Sequence, residues 1–412
     1  MKKTLLTLLA AFFALVADAQ TIDTDKLSVY DKNAPFGWGT EITGGDGENV
    51  VTVETYNDLI NAIQPSAFNT TKKTIYVKGT IEFSGFKEFR GIKNKTIIGL
   101  PGAVLTNPTH SADKNKTGIF YMRECDNIII RNLTFKSAGA YDIDGNDNIS
   151  LIGCTNIWID HCDFQDGVDG NLDATNASDN ICVTWCRFRY LIEPWPGGTG
   201  GSNDHRFTNL WGNSDSQTGD QGKLRTTFAN CWWDEGCKER MPRIRFGQVH
   251  LLNCLYSSSI ANYCVGGGYR SNAYIEKCAF TSTKAKNTPW KNYATSSGKT
   301  DYNVTIINCS GATNKQDRSG SIEYFIPSEK YSYESYDANL VESVVSNSEN
   351  GAGATLQFKD ATGISGTKES NAIQKIEYFT LDGLRLVVPT KGIAIQVVTK
   401  ADGSKESKKI IF

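Results

Sequence analysis

The chain has 412 residues, 39% of them hydrophobic, with 43 basic and 45 acidic side chains and a formal charge of −2. That length allows one large domain plus a small one with a sizeable core. The absence of a basic excess argues against nucleic acid as partner, while a polyanionic substrate stays open because a few local cations outweigh a small global charge.

In chain order, residues 1–19 read as an export signal. Lys2 and Lys3 form a charged start, Leu5 to Ala17 an apolar stretch too short to span a bilayer, and Ala17-Asp18-Ala19 a cleavage site. No later stretch reads as a membrane span, so a soluble, exported or cell-surface protein is expected, as a monomer. Thr55 before Asp58, Leu59, Ile60 and Ile63 predicts an N-capped short helix able to close one end of a larger β body.

The body carries an internal repeat. Asp160-His161-Cys162-Asp163-Phe164, Thr184-Trp185-Cys186-Arg187-Phe188, Ala229-Asn230-Cys231-Trp232-Trp233, Leu252-Asn253-Cys254-Leu255-Tyr256 and Glu276-Lys277-Cys278-Ala279-Phe280 share one pattern. The cysteine steps are 24, 45, 23 and 24 residues, the long step holding a Gly/Pro/Ser-rich insertion from Glu193 to Asn203. Arg131-Asn132-Leu133-Thr134-Phe135 fits with leucine in the cysteine position. A period near 24 with alternating apolar residues and Asn/Gly/Asp punctuation is that of a β-solenoid, whose coils bury their apolar faces only by stacking. The expected fold is all-β, a parallel β-helix rather than a sandwich, with cysteine and aromatic ladders inside.

Eleven cysteines is an odd number for a disulfide framework. Cys231 and Cys237 are a candidate pair; the other reading makes most cysteines small buried hydrophobes. The expected organisation is a β-helix over 20–345, a polar linker over 346–374 and a small C-terminal β module over 375–412, with turns at Asp382-Gly383 and Asp402-Gly403.

Two constellations carry chemistry. Asp166-Gly167-Val168-Asp169-Gly170-Asn171-Leu172-Asp173, preceded by Asp142, Asp144 and Asp147, offers the clustered oxygens that calcium wants, without EF-hand spacing. Asp147 lies 22 residues before Asp169 and 26 before Asp173, close to one coil, so the three are expected to converge. Asp and Gly are also ordinary turn residues. The basic run from Lys238 to Gly247 puts Arg243 and Arg245 on one face of a strand, and Arg240 needs the turn at Pro242 to join them. Packed guanidiniums call for carboxylates or an anionic ligand; solvated arginines paired with Glu235 and Glu239 are the plainer reading.

Together these runs resemble polysaccharide lyase family 1, the pectate and pectin lyases. The resemblance runs through Thr43-Gly44-Gly45, Val77-Lys78-Gly79-Thr80-Ile81, Asn156-Ile157-Trp158-Ile159-Asp160-His161 and Arg240-x-Pro-x-x-Arg245 in colinear order. It implies a right-handed parallel β-helix, Ca2+ held by Asp147, Asp169 and Asp173, Arg240 as base, Arg245 on a uronate carboxylate, and pectate (polygalacturonate) as substrate. Asp160 and His161 read as structural. This chain has Phe207 where the family usually has a substrate-binding lysine; Arg206 next door could substitute if the strand bulges. Three other readings stay open: a calcium-free pectin lyase, a hydrolase using Asp166, Asp169 and Asp173, and a non-catalytic glycan-binding β-helix. The C-terminal segment resembles, over a short stretch, sorting or surface-attachment modules of secreted bacterial proteins.

Overall fold

The computed structural model describes residues 27–29, 33–295, 298–360, 373–380, 385–386, 393–400 and 405–411. The segment read as an export signal lies outside them. Among the described residues no helix is long and apolar enough to cross a membrane.

Residues 30–357 form one unit, and 1–29 with 358–412 another. The large unit is a right-handed parallel β-helix of three sheets, two of eight strands and one of eleven. One coil shows the plan: Ile149–Ile152 lies in the site-bearing sheet, Thr155–Asp160 in the long sheet, and Asp163–Gln165 in the third. The next coil repeats it with Leu172–Thr175, Asp179–Thr184 and Arg187–Arg189. Apart from Lys315–Ser319, which closes the long sheet antiparallel to Tyr302–Ile307, each strand pairs in parallel with its counterpart one coil on, such as Ser150 with Asp173 and Phe164 with Phe188. Every coil therefore satisfies its backbone groups through its neighbours.

The chain turns between the long and the third sheet on a single left-handed residue. Asn132, His161, Trp185, Asn230, Asn253, Lys277 and Asn308 all take φ between 47° and 55° at this corner. Asparagine tolerates that conformation best, which accounts for its recurrence just before the Cys or Leu position. That next residue points inward: Leu133, Cys162, Cys186, Cys231, Cys254 and Cys278 are fully buried. Two positions on, Phe135, Phe164, Phe188, Trp233, Tyr256 and Phe280 stack with ring centroids 4.6–5.5 Å apart. The expected ladders are present. All eleven cysteines are free, so the Cys231–Cys237 pair does not form; Cys231 lies in the ladder and the Cys237 sulfur lies 3.2 Å from the Phe188 carbonyl. The helix Tyr56–Ile63 forms, with the Thr55 hydroxyl accepting from Asp58 N at 3.2 Å and Leu59 and Ile63 buried in the core at the first coils.

The chain divides elsewhere than at 345. Residues 346–357, expected as linker, lie on the β-helix: Gly353 N donates to Trp185 O at 2.8 Å and Leu356 N to Asn132 Oδ1 at 2.9 Å. Small polar composition reads as linker, but these groups cover the corner residues of the coils, and Ala352 packs with Val341, Val345 and Leu255. In the other unit, Leu27–Val29 pairs antiparallel with Phe358–Asp360, so these three residues, expected within the β-helix, do not belong to it. Its remaining strands, Arg385–Leu386, Ile373–Phe379, Ile393–Lys400 and Lys405–Ile411, form an antiparallel sheet in that order.

Candidate active site

The site-bearing sheet presents a column of outward residues, one per coil. In register these are Tyr121, Ser150, Asp173, Leu210, Arg243, Gly266 and Lys291. The inward partners Met122, Leu151, Ala174, Trp211 and Ile244 are buried in the core. Alternation along the strand thus aims Asp173 and Arg243 out of one rigid face.

Asp147, Asp169 and Asp173 come together beside this column. Asp147 precedes the strand Ile149–Ile152 and is buried, one oxygen accepting from Ser150 Oγ at 2.6 Å and Oδ1 having no hydrogen-bond partner. Asp173 Oδ1 accepts from Leu210 N at 2.8 Å. Gly170 lies between them: a Cβ there would fall 2.8 Å from Asp147 Oδ1 and 3.1 Å from Asp173 Oδ1. Only glycine lets the backbone approach the carboxylates so closely. Burial, then the charge of Asp169, pushes Asp147 up to about 7, against the opposing pull of Ser150 and Arg240. Burial, then the charges of Asp147 and Asp169, raises Asp173 well above its ordinary value. Crowded carboxylates with an orphaned oxygen are the chemistry of a hard-cation site, so the donor set fits calcium. Among the described residues, no three such side chains are drawn to coordination distance.

The other acidic candidates separate. Asp144 is exposed and pairs with Lys114 at 3.4 Å. Asp166 turns away and accepts from Leu191 N and Ile192 N at 2.6 and 2.9 Å, which fixes the start of the insertion after its coil. The insertion closes over Asp142: Gly200 N donates to its carbonyl and Ser202 N to its carboxylate. His205, not singled out by the sequence, stands between Asp142 and Asp169, its ring nitrogens lying 3.2 Å from Asp142 Oδ1 and 2.8 Å from Asp169 Oδ1. A lone histidine in a polar loop carries no spacing signal, so only the fold finds it.

Arg240 takes φ 58° and turns the chain before the strand Arg243–Ile244. Its guanidinium lies over the Phe207 ring at 4.6 Å, a cation–π contact. Arg240 is the cation whose charge acts on both Asp147 and Asp173. Arg245 is held by Asp215 at 2.7 Å and by the Gly212 carbonyl at 2.8 Å. Arg206 is paired with Asp204, its Nε and Nη2 each 2.8 Å from that carboxylate, and Lys238 joins the same carboxylate at 3.3 Å. Phe207 itself fills the space, packed between Arg240 and the His205 ring 4.3 Å away.

Asp160 ends the strand Thr155–Asp160 of the long sheet and His161 is the corner residue that follows it, on a different sheet from the acidic cluster. Asp160 is fully buried and bound by Arg131 at 2.6 Å, Thr184 Oγ1 at 2.6 Å and His161 Nδ1 at 2.9 Å. Burial alone would raise it; His161, Arg131 and Thr184 together hold it below the usual carboxylate range.

A family model described as pectate lyase matches residues 2–355. The probable pectate lyase B of Aspergillus terreus is 34% identical over 233 residues, covering 54% of this chain and 61% of its own. The pectate lyase of Bacillus subtilis is 28% identical over 326 residues, covering 58% of this chain and 74% of its own. This chain thus spans about three fifths of the Aspergillus relative's length. Among solved structures, a pectate lyase bound to a hexasaccharide matches with a TM-score of 0.61 at 24% identity, over 81% of this chain and 100% of that one, a likeness in fold. With the repeat, the acidic cluster and the Arg240 turn all on one β-helix matched over most of its length, this chain belongs to the pectate lyase family.

Proposed function

We propose that the chain is an exported, calcium-dependent pectate lyase that cleaves (1→4)-linked α-D-galacturonan by β-elimination, leaving 4,5-unsaturated ends. The observation that carries this reading is Arg240 set against three crowded carboxylates, Asp147, Asp169 and Asp173, two of them pushed up by burial and mutual repulsion. A binding module has no use for a cation aimed across a cation site, and a hydrolase pair has no use for Arg240.

Asp147, Asp169 and Asp173 would hold calcium, which when bound supplies positive charge to a substrate carboxylate and so acidifies the neighbouring C5–H. Arg240 can accept that C5 proton only with its guanidine in the neutral form, a lone pair on nitrogen taking the proton; the electrons of the C5–H bond form the C4=C5 double bond, and the C4–O bond breaks with the oxygen leaving as the new chain end, which takes up a proton from water. Phe207 fixes Arg240 from below by packing under its guanidinium. Arg245, braced by Asp215 and Gly212, presents its remaining donors to a uronate carboxylate.

The test is the ultraviolet absorbance of polygalacturonate incubated with the protein at alkaline pH, with calcium and again with EDTA. Absorbance that rises with calcium and stops with EDTA is expected; chain shortening without absorbance would mean hydrolysis, and no shortening a binding protein. Phe207 favours one refinement, tolerance of methyl-esterified residues, because an apolar ring stands where a lysine would seek a free carboxylate. Comparable rates on partly methylated pectin and on pectate would support it; a rate on pectate alone would refute it.

A further inference from the structure

The outward column continues beyond the acidic cluster to a second group of cations. Arg243 is one rung past Leu210 and two past Asp173, and Lys291 is two rungs past Arg243. At the strand spacing, each two-rung separation is about 10 Å. Arg243 leans along the column rather than toward Arg245: a Cβ on Gly266 would meet Arg243 Cγ and the Tyr263 ring, both at 3.1 Å, so the glycine makes room for them. The Arg243 guanidinium lies 4.1 Å over the Tyr293 ring, and Lys291 Nζ lies 5.1 Å from the same ring and 5.7 Å from that of Tyr263.

Most arginines of this body have a carboxylate: Arg131 has Asp160, Arg187 has Asp234, Arg225 has Asp179 and Arg245 has Asp215. Among the described residues Arg243 and Lys291 have none within 4.0 Å, and the buried Nε of Arg243 makes no hydrogen bond. Burial, then Arg245, disfavours the charge of Arg243. A half-buried guanidinium and an exposed ammonium on an aromatic floor, both lacking anions, make a site for carboxylates on a flat ring.

We infer that Arg243, Lys291, Tyr263 and Tyr293 form a separate binding station for acidic sugar residues of a polyuronate chain lying along the column, distinct from the reacting residue at the Asp173 level. The ligand class rests on the proposed function; the station itself rests on the register and the missing anions. The two tyrosine rings meet sugar faces, and the cations take carboxylates about two sugar units apart.

The full-length protein carrying Arg240→Ala, which removes the proposed base so that binding and not turnover is read, serves as the parent. It is titrated calorimetrically with hexagalacturonate and with trigalacturonate in the presence of calcium. Lys291 variants are made on that background, and cleavage is read in the protein with Arg240 intact. Lys291→Ala is expected to weaken the hexamer about tenfold, the loss of one charge-assisted hydrogen bond, and to leave the trimer unchanged, with Lys291→Arg close to the parent. Equal hexamer affinity in Lys291→Ala, equal losses for hexamer and trimer, or no hexamer binding by the parent would each overturn the inference. Release of unsaturated ends is read separately, so a protein that binds the hexamer through Lys291 without cleaving it defeats the lyase reading and leaves the station standing.

Discussion

Asp160 and Asp147 are enclosed carboxylates thirteen positions apart in the chain, yet their surroundings push them in opposite directions. Asp160 has Arg131, Thr184 and His161 around it and is held low; Asp147 has Asp169 and Asp173 beside it, one oxygen orphaned, and is pushed up to about 7. Buried charge is tolerable when its partners are built in, and otherwise signals a partner still to come. The first arrangement therefore serves the fold and the second serves a ligand.

The largest expected effect lies on the ligand-binding side. Arg240→Ala should lower the rate of unsaturated-end formation by roughly 10²–10⁴-fold, the range for a general base, with the unfolding midpoint nearly unchanged. A variant that keeps its rate would remove Arg240 from the chemistry and leave the acidic cluster as a binding site only.

The mirror experiment is Asp160→Asn. Arg131 would be left buried without its anion, so a loss of about 3–5 kcal/mol is expected in denaturant unfolding, with the rate per folded molecule retained. Because Asp160 is held low, its contribution is present above the unfolded value of about 3.9 and is lost as pH falls through the folded value. Asp160→Asn should therefore flatten the acid limb of the stability curve. An unchanged midpoint would break the contrast between the two centres.

Asp147 carries the opposite sign. Its proton is held more tightly folded than unfolded, so the metal-free protein should lose stability as pH rises from about 3.9 to about 7. Asp147→Asn should stabilise metal-free protein at pH 8 by up to about 4 kcal/mol. Added calcium should raise the melting temperature of the parent more at pH 8 than at pH 5 and leave the variant unmoved. A calcium shift equal at both pH values would mean that the ion sits elsewhere.

The smallest effect sharpens the comparison by adding the missing countercharge. Phe207→Lys should lower the pH at which the metal-free site takes up its proton and weaken calcium a few-fold through like-charge repulsion, measured by calcium titration. No change would mean that the side chain at 207 points away from the cluster.

Much of this was legible along the chain, because a solenoid writes its architecture as a period. Asn132, Cys162 and Phe164 recur at fixed spacing for local reasons: a left-handed corner, an inward position, a stacked ring. The 22- and 26-residue separations that bring Asp147 to Asp169 and Asp173 are close to that same period. What no spacing carried was which groups meet across loops and coils. The tertiary structure alone decided that Asp144 stays in solvent while Asp147 is enclosed, that His205 stands between Asp142 and Asp169, and that Arg206 pairs with Asp204. It also decided that 346–357 closes over the coil corners instead of hanging as a linker. Repeat, alternation and turn chemistry act over a few residues and show in composition, whereas charge pairing and burial depend on distances of a few ångströms between segments far apart in the chain, which only the folded coils bring together.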